Sequence, residues 1–301
     1  MSRQEAYEPA CAACKGAVEL LIQGRSKDLG GFGILRVLPS PERTTVGPFI
    51  FFDHIGPADC APGEGLNVRP HPHIGLSTVT FLFAGEILHR DSLGYVQPIQ
   101  PGAVNLMTAG RGIVHSERTP DELATKEHAL HGVQTWMALP DHLQEIDPSF
   151  AHYAQGELPV IKDAGVTTTV IIGSVRGERS PVTAHADTIY LDQQIEAGAS
   201  TILPSDVAER GIFMIAGEIS VGDQLVSAGT MAVLRPGEAT LRANRSSHVM
   251  VVGGETVGPR HIWWNFVHSS QERIEKAKTD WLTGAFDAVP DDDDFIPLPT
   301  R

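Results

Sequence analysis

Apolar residues in this chain come in short runs, broken every few positions by glycine, proline or acidic residues. Residues 48–52 (Pro-Phe-Ile-Phe-Phe) form one run, which ends at Asp53 and His54. Residues 79–83 form another and stop at the turn Ala84-Gly85-Glu86. Residues 87–89 precede a turn at 91–94, and residues 133–139 end at Pro140. β-Branched and aromatic runs of this length, punctuated this often, predict the strands of a barrel or sandwich. Residues 18–22 predict one short helix or strand within an N-terminal arm. The glycines between Arg25 and Pro39 precede no helix pattern and lack dinucleotide-loop spacing, so they mark turns or close packing.

The second half repeats the texture. Residues 167–173 read as a strand and a turn; residues 212–218 echo 81–86, and 228–234 echo 101–107. Self-similarity of this kind predicts a duplicated barrel. The period changes only near the end, where Ile274, Ala277, Trp281, Ala285 and Phe286 recur at helical spacing. Ser269 is the predicted N-cap of that helix, with Glu272 as its capping-box partner. Prolines at 290, 297 and 299 predict an extended tail. The expected class is all-β with a C-terminal helix. The expected divisions are an arm over 1–30, an N-terminal barrel over 31–155, a C-terminal barrel over 156–265, and a helix with an acidic tail over 266–301.

Length and charge narrow the function. A chain of 301 residues holds two domains of ordinary size. Its formal charge of −14 repels phosphate backbones on average, which argues against direct nucleic-acid binding. No apolar run is long enough to span a bilayer, and residues 1–5 do not open a signal peptide. A cytoplasmic protein without a membrane partner is expected. Cys11 and Cys14 form a C-x-x-C with no second pair to complete a zinc site and no βαβ context for redox work, so they read as two reduced thiols. Asp291 to Asp294 read as a solvated terminus.

Two i, i+2 pairs carry the candidate chemistry: His71 with His73, and His115 with Glu117. Residues two apart on a strand share a face. Two such strands side by side would offer three imidazoles and one carboxylate to one point, a set suited to a divalent transition metal. In a chain with 13 histidines such pairs also arise by chance, and two unrelated surface pairs are the plain alternative. The second half has no counterpart to either pair, so its barrel is expected to be metal-free. Gln134 is either a hydrogen-bond partner behind the ligands or an ordinary barrel residue. His89 and His131 read as satisfied or exposed histidines. His248, His261 and His268 lie outside the pattern, and Trp263-Trp264 read as packing residues.

The run His71-Pro72-His73-Ile74-Gly75-Leu76-Ser77-Thr78-Val79-Thr80 resembles the first metal motif of the pirin family. Residues 101–117, ending in His115-Ser116-Glu117, resemble the second, and residues 25–39 resemble a further piece. The resemblance implies a bicupin, two cupin β-barrels in one chain, with metal in the N-terminal barrel only. It places the metal ligands at His71, His73, His115 and Glu117. Ser77 and Ser116 depart from the family, where many members carry an acidic and a small apolar residue; neither position is a ligand.

The resemblance implies one divalent metal. Fe(II) is the first choice, and nickel, manganese, copper or zinc could occupy the same residues. It implies quercetin 2,3-dioxygenase-type oxygenation of flavonols, with Glu117, the single carboxylate at the site, as candidate base and the histidines as ligands alone. Coordination weakens a carboxylate as a base, so Glu117 would have to loosen during turnover. Eukaryotic pirins imply a competing class: a metal- and redox-dependent regulatory protein that binds a protein partner. The acidic surface fits a protein partner at least as well as a flat aromatic substrate.

Overall fold

The computed structural model describes residue 14, residues 16–29 and residues 32–300. Nearly all regular structure is antiparallel strand. It falls into two compact units: the described residues up to Arg25 with Leu35–Asp53 and Glu157–Thr256, and Ser26–Ile34 with His54–Gly156 and the chain from Val257 onward.

Each unit is built on the same plan, a seven-stranded sheet sharing a core with a four-stranded one. In the unit with His54–Gly156, the large sheet runs Ser149–Tyr153, Val104–Thr108, Leu76–Ala84, His128–Ala138, Phe49–Cys60, Phe32–Leu38, Arg25–Leu29. The small sheet runs Asn67–His73, Ile113–Arg118, Ile87–Asp91, Val96–Ile99. Leu82, Leu130 and Ile55 of the large sheet meet Val68, Ile87 and Ile99 of the small one in a single apolar core, which also takes in Cys60. These are the two β-barrels that the alternation of apolar runs and turns predicts.

In the other unit the small sheet runs Ser200–Leu203, Ala239–Ala243, Glu218–Val221, Gln224–Ser227. Its buried face carries Leu203, Ile219, Val221, Val226, Ala239, Leu241 and Ala243, packed on Val170, Leu191, Ile212 and Val251. Where the first small sheet carries histidines, the second is filled with aliphatic groups. The echo between residues 81–86 and 212–218 is geometric as well. Gly85 and Gly217 sit at φ +83° and +85°, and a Cβ on either would meet a carbonyl oxygen at 2.2 and 2.4 Å. Both turns therefore require glycine.

The N-terminal arm supplies a strand. Val18–Gln23 pairs antiparallel with Thr230–Leu234 and buries Val18 in the aliphatic core. Cys14 is half-buried against that core, whereas Cys11 lies outside the described residues.

The predicted helix spans Gln271–Leu282, and its cap differs from expectation. Ser270 is the N-cap, its Oγ accepting from Arg273 N at 3.3 Å. Ser269 is held by Gln144 through both its backbone N–H and its hydroxyl. This shifts the start by one residue and puts Arg273 where a capping box needs Glu or Gln. Ala285 and Phe286 lie beyond the helix, because Gly284 at φ +72° ends it in the left-handed region. Ile274 and Ala277 pack on Ile74 and Phe266, and Phe286 stacks on Phe266. Trp263 and Trp264 line the same small core.

The acidic tail is not simply solvated. Asp292 accepts from Ser116 Oγ and from Arg118 at 2.8 Å each, on the outward side of the Ile113–Arg118 strand. Ile296 N donates to Pro70 O at 2.8 Å, and Trp281 Nε1 donates to Ile296 O. The tail thus covers the edge strand Asn67–His73, where Pro70 and Pro72 are tolerated because an edge leaves N–H groups outside the ladder.

Candidate metal centre

The Asn67–His73 and Ile113–Arg118 strands pair antiparallel with His71 opposite His115 and His73 opposite Ile113. The register slips by one residue between His115 and Glu117, so that Glu117 faces Val68. The extra residue falls in the His71 strand, a bulge of the kind that bends a strand and re-aims its side chains. The result brings His71, His73 and His115 together. Their candidate donor atoms all lie within 4.8 Å of one another, and the ring centroids are 4.4–4.9 Å apart. All three are buried.

The partners of these rings decide which nitrogens face inward. His71 Nδ1 donates to Arg69 O at 2.8 Å, which leaves the Nε2 lone pair free. His115 Nδ1 faces His89 Nδ1 at 3.4 Å, and His89 Nε2 donates to Asp91 Oδ2 at 2.9 Å. When His89 is neutral, its Nδ1 lone pair faces His115, whose proton then sits on Nδ1. His73 Nδ1 is buried without a well-formed hydrogen bond; the Asn265 backbone is the polar group beside it. His73 Nε2 and His115 Nε2 stand 3.0 Å apart.

With the His115 proton on Nδ1, its Nε2 lone pair can accept an N–H from His73 Nε2 in the metal-free protein, and the same two atoms can turn to an ion. Three buried imidazoles with donor atoms within 4.8 Å of one another are a donor set that fits a divalent transition-metal ion. Burial drives the same way. It pushes His71 down to about 4, with the Arg69 carbonyl opposing. His73 and His115 are held well below the ordinary imidazole range by burial and by the neighbouring rings. Neutral imidazole is the form that binds metal.

Glu117 is on the same strand and the same face but is not within that group of donors. Its Oε1 accepts from Gln134 Nε2 at 2.6 Å and from Thr80 Oγ1 at 3.4 Å, both on the large sheet. Burial raises its affinity for a proton, and the Gln134 bond opposes that rise. Trp136 packs edge-on against His73 at 5.0 Å.

Comparison with known proteins agrees with this geometry. Residues 31–137 match the family model described as Pirin, and residues 190–287 match the Pirin C-terminal cupin domain. The chain belongs to the pirin family. A Pirin-like protein of Caulobacter vibrioides is 47% identical over 291 residues, covering 94% of this chain and 99% of that protein. The crystal structure of a quercetin 2,3-dioxygenase from Acinetobacter baumannii superposes with a TM-score of 0.87 at 36% identity, covering 94% of this chain and 95% of that one. A bacterial pirin from Escherichia coli, crystallised in complex with nickel(II), shares the fold at a TM-score of 0.63 and 16% identity, covering 79% and 99%. The duplicated cupin architecture of pirins is thus the architecture of this chain.

His89 and Asp91 are the site residues that the sequence pattern left out. They sit opposite Glu117 and His115 respectively on the neighbouring strand, on the same buried face. The signal was present: His89-Arg90-Asp91 is a third polar i, i+2 pair, interleaved with less buried neighbours.

Proposed function

We propose that the chain is a metal-dependent dioxygenase acting on flavonols such as quercetin, a cytoplasmic enzyme with one Fe(II) site in its N-terminal barrel. The observation that carries the reading is the convergence of three buried imidazoles, all pushed toward the neutral form, with donor atoms within 4.8 Å of one another. The name of the Acinetobacter baumannii neighbour supports the substrate class. No helix of the described residues is long and apolar enough to cross a membrane.

In this proposal His71, His73, His115 and Glu117 would hold the ion. When bound, the ion supplies open coordination positions and redox chemistry toward dioxygen. The protein's own part is proton handling and exclusion of water. Glu117, buried and raised in proton affinity, accepts the proton of the flavonol hydroxyl while Gln134 and Thr80 hold the carboxylate in place. The Gln134 bond gives the carboxylate a defined position beside the histidines, in which it would keep its basicity.

The test is anaerobic purification, loading with Fe(II), and oxygen uptake with quercetin. Saturable uptake that requires both the metal and the flavonol is expected. Full metal occupancy with no uptake for any flavonol would overturn the enzymatic reading.

A further inference from the structure

We propose that His89 and Asp91 form a positioning relay that fixes the tautomer and orientation of His115. The proposal rests on the metal reading of the three-histidine site, and on nothing about the flavonol.

The relay starts from a fixed point. Asp91 is fully buried, and its Oδ1 accepts from Leu93 N and Tyr95 N at 2.9 and 3.1 Å. The turn at residues 91–95 thus pins the carboxylate, leaving Oδ2 for His89. A carboxylate only accepts, so the proton of the 2.9 Å contact belongs to His89 Nε2. A neutral His89 then has a lone pair on Nδ1, aimed at His115 Nδ1, 3.4 Å away. His115 must donate there, and its Nε2 is left as the donor atom toward His71 and His73. The plane of His89 is set from the other side: Phe150 stacks on it, with ring centroids 4.4 Å apart and planes at 17°. A choice made by one carboxylate is passed through two rings to a metal-facing atom. Outer partners of ligating histidines act in this way on metal affinity.

The relay makes an unusual demand. Asp91→Asn keeps an oxygen for the Leu93 and Tyr95 amides but turns an N–H₂ toward His89. His89 must then accept at Nε2 and carry its proton on Nδ1, pointing at the His115 Nδ1 proton. The conflict is relieved when His115 moves its proton to Nε2, where it blocks the metal. A change two residues removed from the ion should thus act on the ion. His89→Gln retains both functions, because its amide can donate to Asp91 and accept from His115. His89→Phe keeps the stacking on Phe150 and loses the acceptor.

The experiment titrates metal-free wild type and the three variants with Co(II) and with Ni(II) against a chelating competitor, and records the visible spectrum of each Co(II) form. D91N and H89F are expected to bind both ions about 10–100-fold more weakly, with altered Co(II) spectra, while H89Q stays within about threefold of wild type. Thermal melts of the metal-free proteins separate this from unfolding; if H89F fails to fold, D91N against H89Q still decides. Wild-type affinity and an unchanged spectrum in D91N would overturn the relay, and so would equal losses in D91N and H89Q. A wild type that binds neither ion would overturn the metal reading as well.

Discussion

Gln134 and Glu117 meet across the barrel at 2.6 Å, amide nitrogen to carboxylate oxygen, each from a different sheet. The contact holds the carboxylate beside the histidine triangle and outside it, which permits both of its proposed roles. Glu117→Gln separates them. The amide can still coordinate through oxygen but cannot accept the substrate proton. Turnover of quercetin at full metal occupancy is expected to fall by about 10²–10⁴-fold. Activity that returns on reloading with Fe(II) would leave Glu117 a ligand and nothing more.

His115→Ala removes one of the three imidazole donors and should release the metal, with metal content and turnover falling together. Wild type should hold one ion per chain by elemental analysis, because the second small sheet buries aliphatic groups where the first buries histidines. A stoichiometry near two, with the additional ion bound by residues 160–260, would show that the duplicated barrel is misread.

The metal-free protein should lose stability in mild acid. His71 titrates near 6.5 when unfolded and about 4 when folded, because burial disfavours its charged form. The unfolded chain therefore takes up protons first. The full contribution of the neutral ring is present above the unfolded value and is lost as pH falls from about 6.5 toward 4, by roughly 3 kcal/mol in all. His73 and His115 shift in the same direction and add to the slope. Urea midpoints of the metal-free protein at several pH values measure it; a flat profile between pH 7 and 4 would contradict the burial of these rings.

Asp292→Ala should destabilise the protein without touching the site. Asp292 accepts from Ser116 and from a partly exposed Arg118, so the cost is about 1–2 kcal/mol after screening. A lower melting temperature with unchanged Co(II) affinity is the expected pair of results. An unchanged melting temperature would mean that the tail contributes no holding force.

Much of this was legible in the sequence, for physical reasons. Alternation of buried and exposed positions reports strands directly, which is why the run ending at Leu139 and the turns at Gly85 and Gly217 emerge from pattern alone. The i, i+2 rule brought His71, His73 and His115 to one face. It does not encode register, so the bulge that sets Glu117 opposite Val68, and the hold of Gln134 on its carboxylate, were invisible. It also does not report which strand lies beside which, so His89 and Asp91, on a third strand, looked like bystanders. Ser116 looked like a neutral departure from the family and Asp292 like solvated charge. Each makes sense only with the other, across a separation of 176 residues.

The strand Val18–Gln23 carries a consequence for how the protein can be made and divided. It is synthesised early, yet its partner Thr230–Leu234 follows about two hundred residues later. Until then its edge is an open template for other chains. The histidine-bearing unit waits in turn for the segment from Val257 onward, whose Phe266 and Ile274 close over Ile74. A fragment ending at Gly156 would keep all three histidines and still lack this cover, while its leading strand would have nothing to pair with. The two barrels are interlaced along the chain, so neither can be excised, swapped or inherited as one uninterrupted length of sequence.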